Sequence, residues 1–577
     1  MLVGMSLVSL VSRVVCALAL LFGSFACLGV PDEPEVVGRS TLFTGGRIYE
    51  DAYADPVEAL VTRGGWVLEL GSADALRARY PDAHEVDLNG ATVLPGLQDA
   101  HGHIESYGDT LGEVDLRGAR SYEEVIARIA QRAQKLPEGS WITGRGWDQN
   151  LWPNKALPHH ADLSARVPAH PVWVRRVDGH AGLANRTALE LAGLAGILDP
   201  VPEVTGGRVL VDVDGAATGV FVDTAMRLVS AQVPVATREQ RVRNILRAQE
   251  ALLAKGLTCV HDMGVDREAI EIYEELRQAG KLKLRVVAYL WGNGLKSADE
   301  LEGLPLWPDA RDRLSVCGAK LMADGALGSR GAALLEDYAD APGERGLLRF
   351  ESAAAFEQVV RLLMEAGLQP ATHAIGDRAN RIVLDAYETV MAEDSAHARR
   401  RPRLEHAQIL APEEWTRFRD LGVVPSMQPT HCTSDMAWVP DRLGPERPIG
   451  AYAWRRIETA PEAPLAFGSD FPVELPDPLP GIYAAVTRMG GGAAREANFY
   501  PDQRLSVREA VAAFTSGAAS ACFQESRRGR LSPGYGCDMT VLDRDPMGLD
   551  AMGANVLLET VVEMTVIQGE VVYRSQP

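Results

Sequence analysis

A chain of 577 residues that is 46% hydrophobic and 24% charged can bury a large core, which excludes the disordered and collagen-like classes. Its 58 basic and 78 acidic residues leave a net charge of −20, a surface that repels nucleic acid and anionic lipid. Seven scattered cysteines make neither a disulfide framework nor a zinc knuckle and read as buried single thiols.

The first thirty residues stand apart. Arg13 precedes the apolar run Val14 to Phe22, and the small residues Gly23, Ser24 and Ala26 follow, the layout of a secretory signal. The run falls short of the about 20 apolar residues of a membrane span. Export to the periplasm or beyond is therefore expected. Cys27, after Ser24-Phe25-Ala26, is a degenerate lipidation site, and membrane contact is expected only through this segment.

Asp32 to Val37 suits a short tether. From about residue 41 to 94, short apolar runs such as Leu42-Phe43-Thr44 and Val67-Leu68-Glu69-Leu70 alternate with turns, the pattern of a small sheet. Matching pieces return at the far end: Asp538 to Asp543, Val556 to Glu559 and Val566 to Tyr573. A small discontinuous β-sandwich domain built by both chain ends, 38–94 with 530–577, is expected.

Between these ends, apolar strands alternate with helical stretches. Eight strand candidates are Thr92 to Leu97, Leu257 to His261, Arg285 to Leu290, Ser315 to Asp324, Gln369 to Ala374, Arg403 to Gln408, Val423 to Gln428 and Pro464 to Asp470. They predict an α/β chain with a TIM-like (β/α)8 barrel over 95–529. The first gap is much longer than the others. It predicts an insert at about 120–235, with helices over Glu123 to Lys135 and Arg186 to Ala192.

Asp99-Ala100-His101-Gly102-His103 carries the strongest chemical signal. Side chains alternate along a strand, so His101 and His103 share a face and can hold one divalent metal. A His-x-His pair recurs by chance, but this one ends a first barrel strand, where active sites lie. Lys320, His373, His406 and Asp470 stand at or near the ends of later strand candidates. Each alone reads equally well as a satisfied core group; the ordered set does not.

These motifs resemble the amidohydrolase superfamily, in its N-substituted formamide deformylase-like branch. The resemblance covers nearly everything after the signal. It includes Pro95 to His103, Gly146 to Asn150, Arg176 to Ala181, Val260 to Gly264, Lys320 to Gly328, Gln428-Pro429, Gly468-Ser469-Asp470 and Leu531 to Asp538. It implies two divalent metal ions, with zinc the best match to imidazole and carboxylate donors. By resemblance His101, His103 and Asp470 hold one metal, His373 and His406 hold the other, and Lys320 bridges them as a carbamate. The implied reaction is cleavage of a non-peptide C–N bond in a small-molecule substrate by a metal-activated hydroxide. Asp470 would be the catalytic proton carrier.

Trp147, Asp148, His180, His261, Asp324 and His431 are the candidate substrate contacts. The bland readings are a packed aromatic for Trp147, a turn for His180, and a supporting or lysine-orienting role for His261 and Asp324. His84, His159, His160, His170 and His397 read as surface residues. Three alternatives stay open: a hydrolase of cyclic amides, ureas or C–O bonds, a mononuclear deaminase, and a non-catalytic binding protein of the same fold. Neither a monomer nor a homo-oligomer is excluded.

Overall fold

The computed structural model describes residues 38–576 apart from 178, 180, 199, 205–206, 296, 298–299, 301–312, 329, 491–498 and 550–552. The expected signal, Cys27, the tether and the candidate His180 lie outside the described residues.

Eight parallel strands form the centre: β1 Leu97–Gly102, β2 Leu257–Val265, β3 Arg285–Trp291, β4 Leu314–Met322, β5 Gln369–Ala374, β6 Arg403–His406, β7 Val424–Met427 and β8 Ala466–Phe467. Each pairs with the next in chain order. The chain just past β8 returns to β1 through single bonds. Asp470 N–H donates to His101 O at 2.7 Å, and His103 N–H donates to Phe471 O at 2.9 Å. The barrel is nearly closed. Every residue of β1, β5, β6 and β7 is buried, as expected of parallel strands covered on both faces. Several covering helices start at side-chain caps, such as the capping box of Thr237 and Gln240 before Arg238–Ala254. They turn one stripe inward, as Ala269, Ile270, Tyr273 and Leu276 do on Arg267–Gln278.

The first expected barrel strand is corrected. Thr92–Pro95 pairs instead with Arg47–Ile48 and Met539–Leu542, in a five-stranded sheet completed by Val562–Ile567 and Glu570–Arg574. A four-stranded sheet packs on it, with Phe43, Leu60 and Val67 in one buried cluster with Val93, Met539, Val541 and Val566. The chain crosses from this sheet into the barrel at Gly96, where a Cβ would lie 2.4 Å from Thr258 Oγ1. Val556–Glu559, expected as strand, is a short helix that buries Leu557 and exposes Leu558; so short an apolar run carries no period.

Between β1 and β2 stands a six-stranded sheet ordered Gly207–Val211, Ala217–Asp223, Ala181–Ala184, Val172–Arg176, Ile142–Trp147 and Val114–Asp115. Its core includes Leu116, Val125, Ile129, Trp147 and Val174. His170 and His397, expected at the surface, are buried, each with Nδ1 at 2.9 Å from a main-chain carbonyl, Ser140 O and Val390 O. Among the described residues no helix is long and apolar enough to cross a membrane.

Candidate active site

The carboxyl ends of the barrel strands open on a cavity of about 1050 Å³. His101, His103, Lys320, His373, His406 and Asp470 all line it. His101 is in β1 with His103 just past its end, Lys320 is in β4, His373 in β5, His406 ends β6, and Asp470 follows β8.

An oxygen acceptor fixes the outward nitrogen of three rings. His101 Nδ1 lies 2.7 Å from Glu405 Oε2, His103 Nδ1 lies 2.9 Å from Met263 O, and His406 Nδ1 lies 2.7 Å from Gln428 Oε1. A proton on each Nδ1 leaves the Nε2 lone pair for the cavity, the arrangement that metal-ligating histidines use. Asp470 Oδ1 lies 3.0 Å from His103 Nε2 and 3.6 Å from His101 Nε2. Lys320 Nζ lies 3.1 Å from His101 Nε2. His373 turns Nε2 towards Asp324 Oδ1 at 3.4 Å, with its ring centroid 4.5 Å from that of His406.

Burial sets the protonation states. It lowers His101 to about 4 and, with His373 nearby, holds His406 well below the usual histidine value, so both rings are neutral at pH 7. Burial raises the Asp470 carboxyl, but His101 and His103 outweigh it and keep a carboxylate. The Lys320 amine is depressed by burial to about 8. The ring nitrogens of His101 and His103 and the Asp470 carboxylate, with donor atoms within 4.8 Å of one another, fit a divalent cation of the zinc type.

The backbone is bent to this purpose. His406 and Asp470 have φ of 72° and 60°, left-handed values that carry strain of order 1–3 kcal/mol each when a side chain is present. Gly468 admits the close approach of β8 to β1, since a Cβ there would lie 2.5 Å from His101 N. Asp99 ties the same junction: its carboxylate accepts from His101 N–H at 3.0 Å and from Ser469 N–H and Oγ–H at 3.0 and 2.7 Å. Burial pushes that carboxyl up to about 7.

Beneath the floor runs a buried network that sequence reasoning missed. Arg403 donates to Glu405 Oε1 at 2.7 Å, Ala100 O at 2.6 Å, Ser426 Oγ at 2.9 Å, Tyr289 Oη at 3.0 Å and His261 Nδ1 at 2.8 Å. Burial raises the Glu405 carboxyl, yet Arg403 outweighs it and holds it far below the carboxylate range. His261 therefore belongs to this network; it does not line the cavity and is not a substrate contact.

Two further candidates are corrected. Trp147 is fully buried in the core of the inserted sheet, with Nε1–H on Val174 O at 3.0 Å. Asp324 is fully buried and accepts from the N–H groups of Ala333, Ile375 and Gly376 at 2.8, 3.0 and 2.8 Å, so it fixes the loop after β5 and backs His373. Asp148 and His431 do line the cavity, Asp148 paired with Arg176 at 2.8 Å. Arg176 lines it too, from a segment the sequence marked without giving that residue a role, and so do Trp291 and Trp438, which carried no signal in the sequence.

Comparison with known proteins gives a consistent picture. Residues 84–573 match the family model described as the Amidohydrolase family. The chain is 34% identical over 528 residues to the protein LONG AFTER FAR-RED 3 of Arabidopsis thaliana, covering 88% of each chain. It is 27% identical over 518 residues to the N-substituted formamide deformylase of Arthrobacter pascens, covering 86% of this chain and 92% of that protein. Among solved structures, a metal-dependent hydrolase from Pyrococcus horikoshii OT3 superposes with a TM-score of 0.73 at 31% identity, covering 89% of this chain and 99% of that one.

Proposed function

On the premise that this chain belongs to the amidohydrolase family, we propose that it hydrolyses a non-peptide C–N bond of a small molecule, an amide or N-substituted formamide, at a binuclear metal centre. The observation that carries the reading is the convergence of His101, His103, Lys320, His373, His406 and the Asp470 carboxylate on one cavity. The likeness to a protein named N-substituted formamide deformylase supports the choice of bond.

His101, His103 and Asp470 would hold one cation, and His373 and His406 the other. Zinc suits these donors. Cations held there supply Lewis acidity, lowering the pKa of a coordinated water towards about 7 and polarising an acyl oxygen. Lys320 would bridge as a carbamate: its amine, depressed to about 8, is partly neutral at pH 7 and can add carbon dioxide with loss of one proton. The product is an anion, which the cations favour where an ammonium would repel them. Asp470 accepts the proton of the attacking water and returns it to the leaving nitrogen, because an unprotonated amide anion is too basic to expel. Asp148 and Arg176, at the cavity wall, would touch the distal part of a substrate.

The test is purification of the chain, metal quantification, and screening against N-substituted formamides, simple amides, ureas and cyclic imides. Turnover of a formamide or amide that vanishes with chelator and returns with zinc is expected. A metal-loaded protein inert to every C–N substrate would contradict the proposal.

A further inference from the structure

The cavity holds an imidazole beyond the expected ligand set. His431 lies in the first turn of the helix Pro429–Asp435, directly after β7. Its Nε2 is buried and meets no hydrogen-bond partner among the described residues. A buried ring nitrogen left unpaired carries a penalty of about 1–3 kcal/mol, so such an atom points to a partner.

Its surroundings say what kind. His431 Nε2 lies 3.8 Å from Asp470 Oδ2. Its ring stacks on that of His406, with centroids 5.9 Å apart and planes inclined by 19°. One ring nitrogen of His406, one of His431 and a carboxylate oxygen of Asp470 all lie within 4.8 Å of one another. Ligands at about 2.0–2.1 Å from a tetrahedral cation stand roughly 3.3 Å apart, so small side-chain rotations bring these three into range.

Asp470 faces two ways: Oδ1 towards His101 and His103, Oδ2 towards His431. Gln428 touches both residues of the second group: its Oε1 meets His406 Nδ1 at 2.7 Å, and its main-chain O accepts the main-chain N–H of His431 at 3.2 Å.

We propose that His431 is a metal ligand and not a substrate contact: it joins His406 and Asp470 Oδ2 in holding the second cation, and Asp470 spans both positions. The proposal rests on the reading of the cavity as a metal centre and changes how its second position is built. Borderline divalent ions, zinc or cobalt(II), suit two imidazoles and a carboxylate.

The experiment is titration of the chelator-stripped full chain with cobalt(II), followed by calorimetry and by visible absorption, which reports the ligand environment. The unaltered chain takes up two equivalents. His431→Phe keeps a ring against His406 but has no donor. It loses the second equivalent or binds it at least about tenfold more weakly, with altered absorption and the first equivalent unchanged. His431→Asp restores a donor and recovers the second equivalent. If the phenylalanine variant does not fold, His431→Ala carries the same comparison. His431→Phe binding both equivalents with unaltered affinity and spectrum overturns the proposal, whatever its activity. An unaltered chain that binds no cobalt overturns the metal centre itself, a different result.

Discussion

Glu405 Oε2 sits 2.7 Å from His101 Nδ1, and neither side chain reaches solvent. The carboxylate holds the ring in the tautomer whose Nε2 faces the cavity, while Arg403 holds the carboxylate. Glu405 is thus a positioning residue. Glu405→Gln keeps the shape and removes the charge. We expect cation affinity to fall about 10–100-fold, as for other carboxylates that back a ligating histidine. Calorimetric titration with zinc checks this, and unaltered affinity would show that the pair serves the fold alone.

Asp470→Asn retains a similar volume beside His101 and His103 but cannot carry a proton. A fall in kcat of about 10²–10⁴ is expected, the range for loss of general acid–base catalysis. The measurement is steady-state kinetics on protein of known metal content, so that loss of a ligand and loss of a proton carrier are told apart.

Lys320→Ala removes the amine that stands 3.1 Å from His101 Nε2. Activity should be lost and partly restored by short carboxylic acids, whose two oxygens can take the place of a carbamate. Full activity without them would refute the bridging role.

Arg285 and Asp538 tie the barrel to the sheet of the chain ends, with Nε–Oδ2 at 2.7 Å and the second nitrogen at 3.1 Å from Oδ1, both residues buried. Arg285→Ala removes the two-point ion pair, leaves the buried Asp538 carboxylate with the Gln568 N–H at 2.8 Å, and should lower stability by up to about 3–5 kcal/mol. Burial raises the Asp538 carboxyl, but Arg285, with Arg528 and the Gln568 N–H, outweighs it and holds it below its ordinary value. A depressed folded pKa contributes stability above the unfolded value of about 3.9 and loses it as pH falls through the folded value. Denaturant unfolding from pH 6 downward should therefore show a shallower acid slope for Arg285→Ala than for the unaltered chain.

The barrel was legible because most of its parallel strands, buried on both faces, read as short apolar runs, as Arg285–Trp291 does. The start was misread because Thr92-Val93-Leu94-Pro95-Gly96-Leu97 is one apolar stretch, although the chain changes sheets at Gly96. Only the close approach to Thr258 reveals that break. Arg403 and Glu405 passed unnoticed, yet charges alternating within an otherwise buried strand were a usable signal: period two sends both to the barrel interior. Trp147 and Asp324 could not be assigned from spacing, since burial there depends on what packs above them. The cavity wall formed by Arg176, Trp291 and Trp438 comes from the ends of two strands in different sheets and the start of a helix, and leaves no local pattern.

Anomalous diffraction from crystals of the full chain loaded with zinc tests the central claim most directly. The account predicts a zinc peak about 2.0–2.1 Å from Nε2 of both His101 and His103, in contact with the Asp470 carboxylate. Zinc bound only elsewhere, with that cavity floor free of anomalous density at saturating metal, would contradict it.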